Sequence, residues 1–269
     1  MTERPAGEPL TNPRAERVRK VAALAGRSVR SKAGMFLAEG PQAVREAVVC
    51  AAPRVRDLYL TADAAARYGE IVAAARTAGI FTHEASDEVL HAMSADCQGV
   101  LAVVRTWDVA ALEVPQRARL VAILADVRDP GNAGTAIRTA HAAGADLVVL
   151  AGESVDPFNP KVVRATAGSL FHVPVVRGVS VAHAVDAVRA AGLTVLAADG
   201  EGTLELHPRL EALAGPHAWL FGNEARGLDG RQVVLADAAV RIPMPGDAES
   251  LNLAAAAAVC LFASVFALT

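Results

Sequence analysis

The chain has 269 residues, 53% hydrophobic and 20% charged, enough for one large domain or two modest ones and too apolar for global disorder. Aromatic residues make up only 4%, so stacking on aromatic platforms is excluded as the main mode of any nucleic-acid contact. The net charge of −3 gives no sign of a nucleic-acid partner by itself, but residues 1–35 hold eight Arg/Lys against three acids, which is +5 and leaves −8 for the rest.

Met1 to Pro13 is polar and reads as a mobile tail. A basic helix is expected over Arg14–Ala25, with Val18, Val21, Ala22 and Ala25 on one face and Arg17, Arg19 and Lys20 pointing elsewhere. Charge alone leaves two readings of it open, a phosphate-contacting arm and a solvated amphipathic helix.

From Met35 strands and helices alternate. Strands are expected at 36–39, 55–60, 80–83 and 99–105, and helices at 42–51, 62–78 and 87–93, the last capped by Ser86. This is a small α/β unit spanning 14–107, followed by a Pro-bearing linker at 108–118. The alternation then restarts with stronger strands. Leu120–Ala125 is a near-continuous apolar run, as in a parallel strand covered on both faces. Further strands fall at 147–150, 173–176, 194–198, 219–221 and 240–242. Helices fall at 132–143, 160–168, 181–191, 208–213 and 231–235. Six strands with intervening helices predict a doubly wound parallel sheet over 119–269.

The last helix, Leu253–Leu268, has Ser264 as its one polar residue. An all-round apolar helix is expected to be buried on every side, in a core or at a subunit interface. It is shorter than the roughly 20 residues of a membrane span and lacks flanking basic or aromatic anchors. Cys50, Cys97 and Cys260 lie far apart in apolar surroundings, without a CxxC or HExxH motif. Buried free thiols in a reducing cytosol, and no metal site, are expected. The first residues lack the apolar core of a signal peptide, so a cytoplasmic location is expected.

Ligands of such sheets bind beyond the carboxyl ends of the strands. Three of those ends are polar and glycine-rich: Asp129 to Ala140, Leu220 to Leu228, and Ile242 to Asn252. Each residue also has a purely structural role open to it. Asn132, Ser250 and Asn252 suit helix caps, Gly222 a turn, Glu224 a helix N-terminus, and Arg138 a helix surface. GxGxxG, GxxxxGK[ST] and GxSxG are all missing, which disfavours nicotinamide, nucleotide-hydrolysing and nucleophile-elbow enzymes.

Taken together, Asn132…Arg138, Gly222-Asn223-Glu224…Gly227-Leu228 and Ile242-Pro243-Met244…Glu249-Ser250-Leu251-Asn252 resemble the three motifs of the SpoU (TrmH-like) branch of SPOUT RNA methyltransferases. Asn223 stands where Ser is common. The stretch Phe36-Leu37-Ala38-Glu39-Gly40, with Val44, resembles the substrate-binding domain of rRNA members. The resemblance implies a trefoil-knotted α/β domain, a rare exception among folds, and transfer of a methyl group from S-adenosylmethionine to a ribose 2′-hydroxyl. It implies rRNA, most specifically 23S rRNA, as substrate, and a homodimer through the C-terminal domain with a shared active site. Alternatives in view are a tRNA 2′-O-methyltransferase and a non-catalytic RNA-binding protein of the same fold. The resemblance also implies catalytic or positioning roles for Arg138, Asn132, Glu224, Ser250 and Asn252. It places the cofactor against Leu220, Gly222, Asn223, Ile242, Pro243, Met244, Leu251, Asn252 and Ala254. Arg17, Arg19, Lys20 and Arg164 are candidate RNA contacts.

Overall fold

A computed structural model describes residues 8–207 and 209–268. The chain divides into two compact units, one formed by Met1–Trp107 with Phe158–Phe171, the other by Asp108–Pro157 with His172–Thr269.

The first unit begins with α1 (Glu16–Ala22), a 3₁₀ turn at Ala23–Ala25 and α2 (Arg27–Ala33). It continues through β1 (Met35–Glu39), α3 (Pro41–Cys50), β2 (Val55–Leu60), α4 (Ala62–Arg67), α5 (Gly69–Thr77), β3 (Phe81–Glu84), α6 (Asp87–Met93) and β4 (Val100–Arg105). The sheet order is β1-β4-β2-β3, with β4 antiparallel to both neighbours and β2 parallel to β3. Thr61 and Ser86 cap α4 and α6 through their hydroxyls, satisfying donors that a helix start leaves unpaired.

Four local expectations are corrected here. The basic helix ends in a 3₁₀ turn, which changes the angular step per residue; Leu24, at 4% exposure, is buried in place of Ala25. The segment expected as one helix over 62–78 breaks at Tyr68, and α2 was not foreseen. Cys50 is exposed, whereas Cys97 and Cys260 are buried. Of the expected mobile tail, Leu10 is tied beside β3: its N–H donates to Glu84 O and its carbonyl accepts from Ser86 N–H, both at 2.9 Å. Met1–Gly7 lie outside the described residues.

The second unit contains β5 (Leu120–Ala125), α7 (Pro130–Ala142) and β6 (Leu147–Ala151). The chain then leaves for α8 (Pro160–Ala165), which packs on β1 in the first unit. It returns through β7 (Val175–Arg177), α9 (Val181–Ala190), β8 (Thr194–Ala198), β9 (Leu204–Glu205), β10 (His217–Phe221), α10 (Gly230–Val233), β11 (Ala238–Arg241) and α11 (Leu253–Leu268). All seven strands run parallel, in the order β7-β6-β5-β10-β8-β11-β9. The added seventh strand, β9, has two residues, too few to show any period.

The apolar runs are apolar because both sheet faces are covered. Val121, Ile123, Ala218 and Leu220 pack into one core with Ala184, Val185 and Val188 of α9. The other face of β10 carries His217, Trp219 and Phe221, at most 1% exposed, and α11 packs on that strand and on α7.

Ser264 is where α11 is fastened. Trp219 Nε1 donates to its Oγ at 2.8 Å, and His217 Nε2 lies 2.7 Å from the same oxygen. His217 Nδ1 donates to Gly215 O at 2.8 Å, so Nε2 is the acceptor of the Ser264 hydroxyl proton. Burial lowers the His217 pKa and keeps the ring neutral. The helix is not buried on every side in one copy of the chain. Val259, Phe262 and Phe266 are 42%, 37% and 65% exposed and form an uncovered apolar stripe. Among the described residues no helix is long and apolar enough to cross a membrane.

Replacing Ser264 by Ala leaves the indole N–H and the imidazole acceptor buried without partners. Because each such group costs about 1–3 kcal/mol, Ser264→Ala is expected to lose roughly 2–6 kcal/mol of unfolding free energy in urea titration. A midpoint equal to the parent's would remove this anchor from the account.

Candidate active site

The order of the sheet reverses around β5, since β6 lies on one side of it and the later strand β10 on the other. Beyond the carboxyl ends of β8, β10 and β11 opens a cleft of about 380 Å³. Its walls come from Asp199 and Gly200 after β8, from Phe221–Gly227 after β10, and from Ile242, Met244 and Glu249–Leu251 after β11, with Leu253 and Ala256 at the start of α11.

Asp126 ends β5 in the left-handed region at φ 56°, which few non-glycine residues adopt. Its carbonyl accepts from Asn223 Nδ2 at 2.7 Å. Its carboxylate accepts from Glu153 N–H and from Gln232 Nε2, both at 2.8 Å. The loops after β5, β6 and β10 and the helix α10 are therefore held by one residue. The turn after β10 closes on itself, with Asn223 and Gly227 exchanging backbone hydrogen bonds of 3.0 and 2.8 Å. A Cβ on Gly222 would lie 2.1 Å from the Gly227 carbonyl carbon, so only glycine fits that return.

The expected residues can now be placed. Asn132 is not the cap of α7; Asp129 is, accepting from Asn132 N–H at 2.7 Å. Asn132 Oδ1 instead accepts from Asn252 Nδ2 at 2.9 Å, across 120 residues of sequence. Asn252 meanwhile accepts from Ala254 N–H at 2.9 Å and Ala255 N–H at 3.4 Å, so it caps α11 as well. Glu224 does not start a helix. Its carboxylate accepts from Asp129 N–H at 3.1 Å and Arg128 N–H at 3.4 Å, donors freed just before α7. Ser250 is exposed and lines the cleft with Glu224. Arg138 is exposed on α7 and does not line the cleft.

Of the nine expected cofactor residues, Gly222, Asn223, Ile242, Met244 and Leu251 line the cleft. Leu220 does not, because strand alternation turns it into the core beside Val121 and Ile123. Pro243, Asn252 and Ala254 are absent from the lining too, and Phe221, Leu253, Ala256 and Asp199 stand in it instead. Asp126, Gln232 and Asp199 escaped the sequence reading. The only available signal was an acid directly after an apolar strand, which is too common to single out.

The four candidate RNA contacts lie in the first unit. Arg17 hydrogen-bonds His83 Nδ1 at 3.2 Å and Lys20 pairs with Glu16 at 2.7 Å; both stay exposed, as does Arg19. Arg164 is paired with Glu39 at 2.8 Å and Asp96 at 2.7 Å. Glu39 is 5% exposed, so Arg164 compensates a buried carboxylate and loses standing as a phosphate contact.

Two profiles match the chain: the SpoU rRNA methylase family over residues 119–262, and the RNA 2′-O ribose methyltransferase substrate-binding domain over residues 37–107. The 23S rRNA (uridine(2479)-2′-O)-methyltransferase of Streptomyces viridochromogenes is 32% identical over 97% of this chain and 93% of its own length. The 23S rRNA (guanosine(2553)-2′-O)-methyltransferase of Bacillus subtilis is 41% identical over 54% of this chain, a match that spans only 57% of that relative. The crystal structure of an AdoMet-bound rRNA methyltransferase from Sinorhizobium meliloti superposes with a TM-score of 0.81 at 30% identity. That match covers 96% of this chain and 97% of the other.

Gly222→Ala is expected to force the turn open and to lower stability by about 1–3 kcal/mol, the range for overpacking a filled site, measured by urea unfolding. An alanine variant as stable as the parent would show that the turn tolerates a side chain.

Proposed function

The chain belongs to the SpoU rRNA methylase family, and from that premise we propose that it methylates a ribose 2′-hydroxyl of 23S rRNA with S-adenosylmethionine as donor. The observation that carries the reading is the convergence of three distant turns. Asn252 meets Asn132 at 2.9 Å, and Glu224 meets the backbone of Arg128 and Asp129.

The cleft suits the donor. Ile242, Met244 and Leu251 give apolar walls for an adenine, and the missing side chain of Gly222 keeps the Phe221–Gly227 turn tight against it. Asp199 supplies a carboxylate at the same rim for the ribose hydroxyls, and Arg226 supplies a cation for the carboxylate of the amino-acid moiety. When bound, the donor brings a methyl group activated on a sulfonium.

What the chain adds is alignment and charge. An arginine stays protonated in proteins. Arg138 therefore acts by stabilising the emerging alkoxide and gripping an adjacent phosphate, in preference to serving as the base. Asn132, Glu224, Ser250 and Asn252 position the ribose and the turn that presents it. The 2′-hydroxyl itself makes RNA the substrate. Arg17, Arg19 and Lys20 are phosphate contacts of the substrate-binding unit.

Two further features belong to the same reading. The segment after β11 crosses from beyond β8 and β10 to reach α7, and α11 packs there. That path supports a C-terminal segment threaded as a trefoil knot. The uncovered stripe Val259, Phe262 and Phe266 supports a homodimer built on α11.

Arg138→Ala is expected to lower kcat at least about 100-fold, the usual loss of one electrostatic stabiliser, with S-adenosylmethionine affinity by calorimetry within about threefold. Equal rates for variant and parent would remove Arg138 from the chemistry. Phe262→Asp with Phe266→Asp is expected to give a monomer by light scattering and to abolish transfer. A parent that is monomeric yet fully active would overturn the shared site.

A further inference from the structure

The first unit holds a second cavity, of about 510 Å³, between the α1–α2 region and the sheet. Its apolar walls are Val21 and Leu24 from one side, Val29 of α2 at the mouth, and Met35 and Val103 from the sheet. Val29 is 41% exposed, so the mouth opens to solvent.

Tyr59 forms part of the same wall. It is 1% exposed overall, and its ring stacks on His83 at 4.7 Å between centroids. Burial pushes the phenol up to about 12, so it remains a neutral donor. A hydroxyl on the wall of a cavity is available to a ligand.

The rim is cationic. Arg17, Lys20 and Arg56 line the cavity together with Glu16 and Asp57. The Asp57 carboxylate is already committed, to His83 at 3.2 Å and to Arg56 at 3.3 Å. Lys20–Glu16 is a largely exposed pair, weak and readily shared, and the Arg56 side chain is itself about half exposed beside the more buried Asp57. Arg27 and Lys32 add exposed positive charge on α2.

From the apolar walls, the phenol on them and the cationic rim we propose that this cavity receives one unstacked nucleobase of the RNA substrate. The base lies against Met35 and the aliphatic walls, where a thioether suits an aromatic face. Tyr59 Oη donates to an acceptor on the base edge. Arg17, Lys20 and Arg56 take the flanking phosphates. Sequence-specific RNA recognition uses such splayed-out bases, and a cavity of this kind needs no aromatic platform. The inference rests on the RNA methyltransferase reading, to which it adds a nucleotide contact remote in sequence from the three motifs.

The test uses the full chain, with unmethylated 23S rRNA as probe. Tyr59→Phe removes one hydroxyl and is expected to raise KM for RNA about five- to tenfold with kcat unchanged. Val29→Trp fills the mouth from an exposed position and is expected to weaken RNA binding at least about tenfold in filter binding. Both variants should keep the parent's melting temperature and its S-adenosylmethionine affinity by calorimetry. RNA affinity within twofold of the parent for Val29→Trp overturns the proposal. So does binding of free AMP, GMP, CMP or UMP that this substitution blocks while RNA affinity stays unchanged. If the parent itself neither binds nor methylates the RNA, the failure lies with the functional reading and not with the cavity.

Discussion

The second unit depends on one residue held in an unfavourable backbone conformation. Asp126 stands at φ 56°, where an L side chain crowds the carbonyl and a cost of order 1–3 kcal/mol is usual. Four hydrogen bonds offset it. Its N–H donates to Ala151 O, its carbonyl receives Asn223 Nδ2, and its carboxylate receives Glu153 N–H and Gln232 Nε2. Gly152, itself at φ 64°, has a Cβ position only 2.3 Å from an Asp126 carboxylate oxygen. The glycine makes room for the acid, and the acid fixes the loops. Loops otherwise carry the mobility of a fold; here the β10 turn that walls the cleft is tied back to the rigid end of β5.

The same logic holds the other end of the cleft. The turn Ile242–Asn252 is bracketed by β11 and α11. It can keep its shape only if α11 is anchored, and an all-apolar helix offers little to specify its register. Ser264 supplies that specification. The one polar side chain of the helix finds the one polar pair, His217 and Trp219, on the facing side of β10. Slipping α11 by a turn would leave Trp219 Nε1 and His217 Nε2 buried without partners, while Ser264 kept only the Cys260 carbonyl of its own helix. Asn252 then caps the helix and also reaches Asn132. Its position as a cap is what gives its side-chain amide a fixed direction toward Asn132.

Much of this was legible from pattern. The parallel strands appeared as apolar runs because both faces of the sheet are covered, and β2, β5 and β8 have the bounds their sequences indicated. The three motif turns were recognisable because glycine, proline and uncompensated polar residues cluster at strand ends. What was not legible depends on contacts distant in sequence. Leu220 and Phe221 are both apolar strand residues, and only the covering helix decides that the second, not the first, walls the cleft. Asp126 looks like any acid after a strand until Asn223, 97 residues later, meets its carbonyl. The excursion Phe158–Phe171 into the first unit follows from Phe36 receiving Phe158 at 4.8 Å between ring centroids and from Glu39 receiving Arg164. No periodicity within 119–269 announces it. Cys50 shows the limit of composition, since an apolar neighbourhood in sequence is a helix face in space, and that face is exposed.

Helix geometry sets two of the expected site residues on different faces of α7. Asn132 and Arg138 both belong to α7 and are six residues apart. At 3.6 residues per turn they point about 120° away from each other around the axis. Asn132 is turned to Asn252 and so to the turn that walls the cleft, whereas Arg138 faces solvent outside it. The apolar stripe left uncovered on α11 lies on the helix that packs against α7. The apolar C-terminal helix thus has one face that secures the turn after β11 within the chain, through Asn252 and Ser264, and another that stays open to solvent at Val259, Phe262 and Phe266.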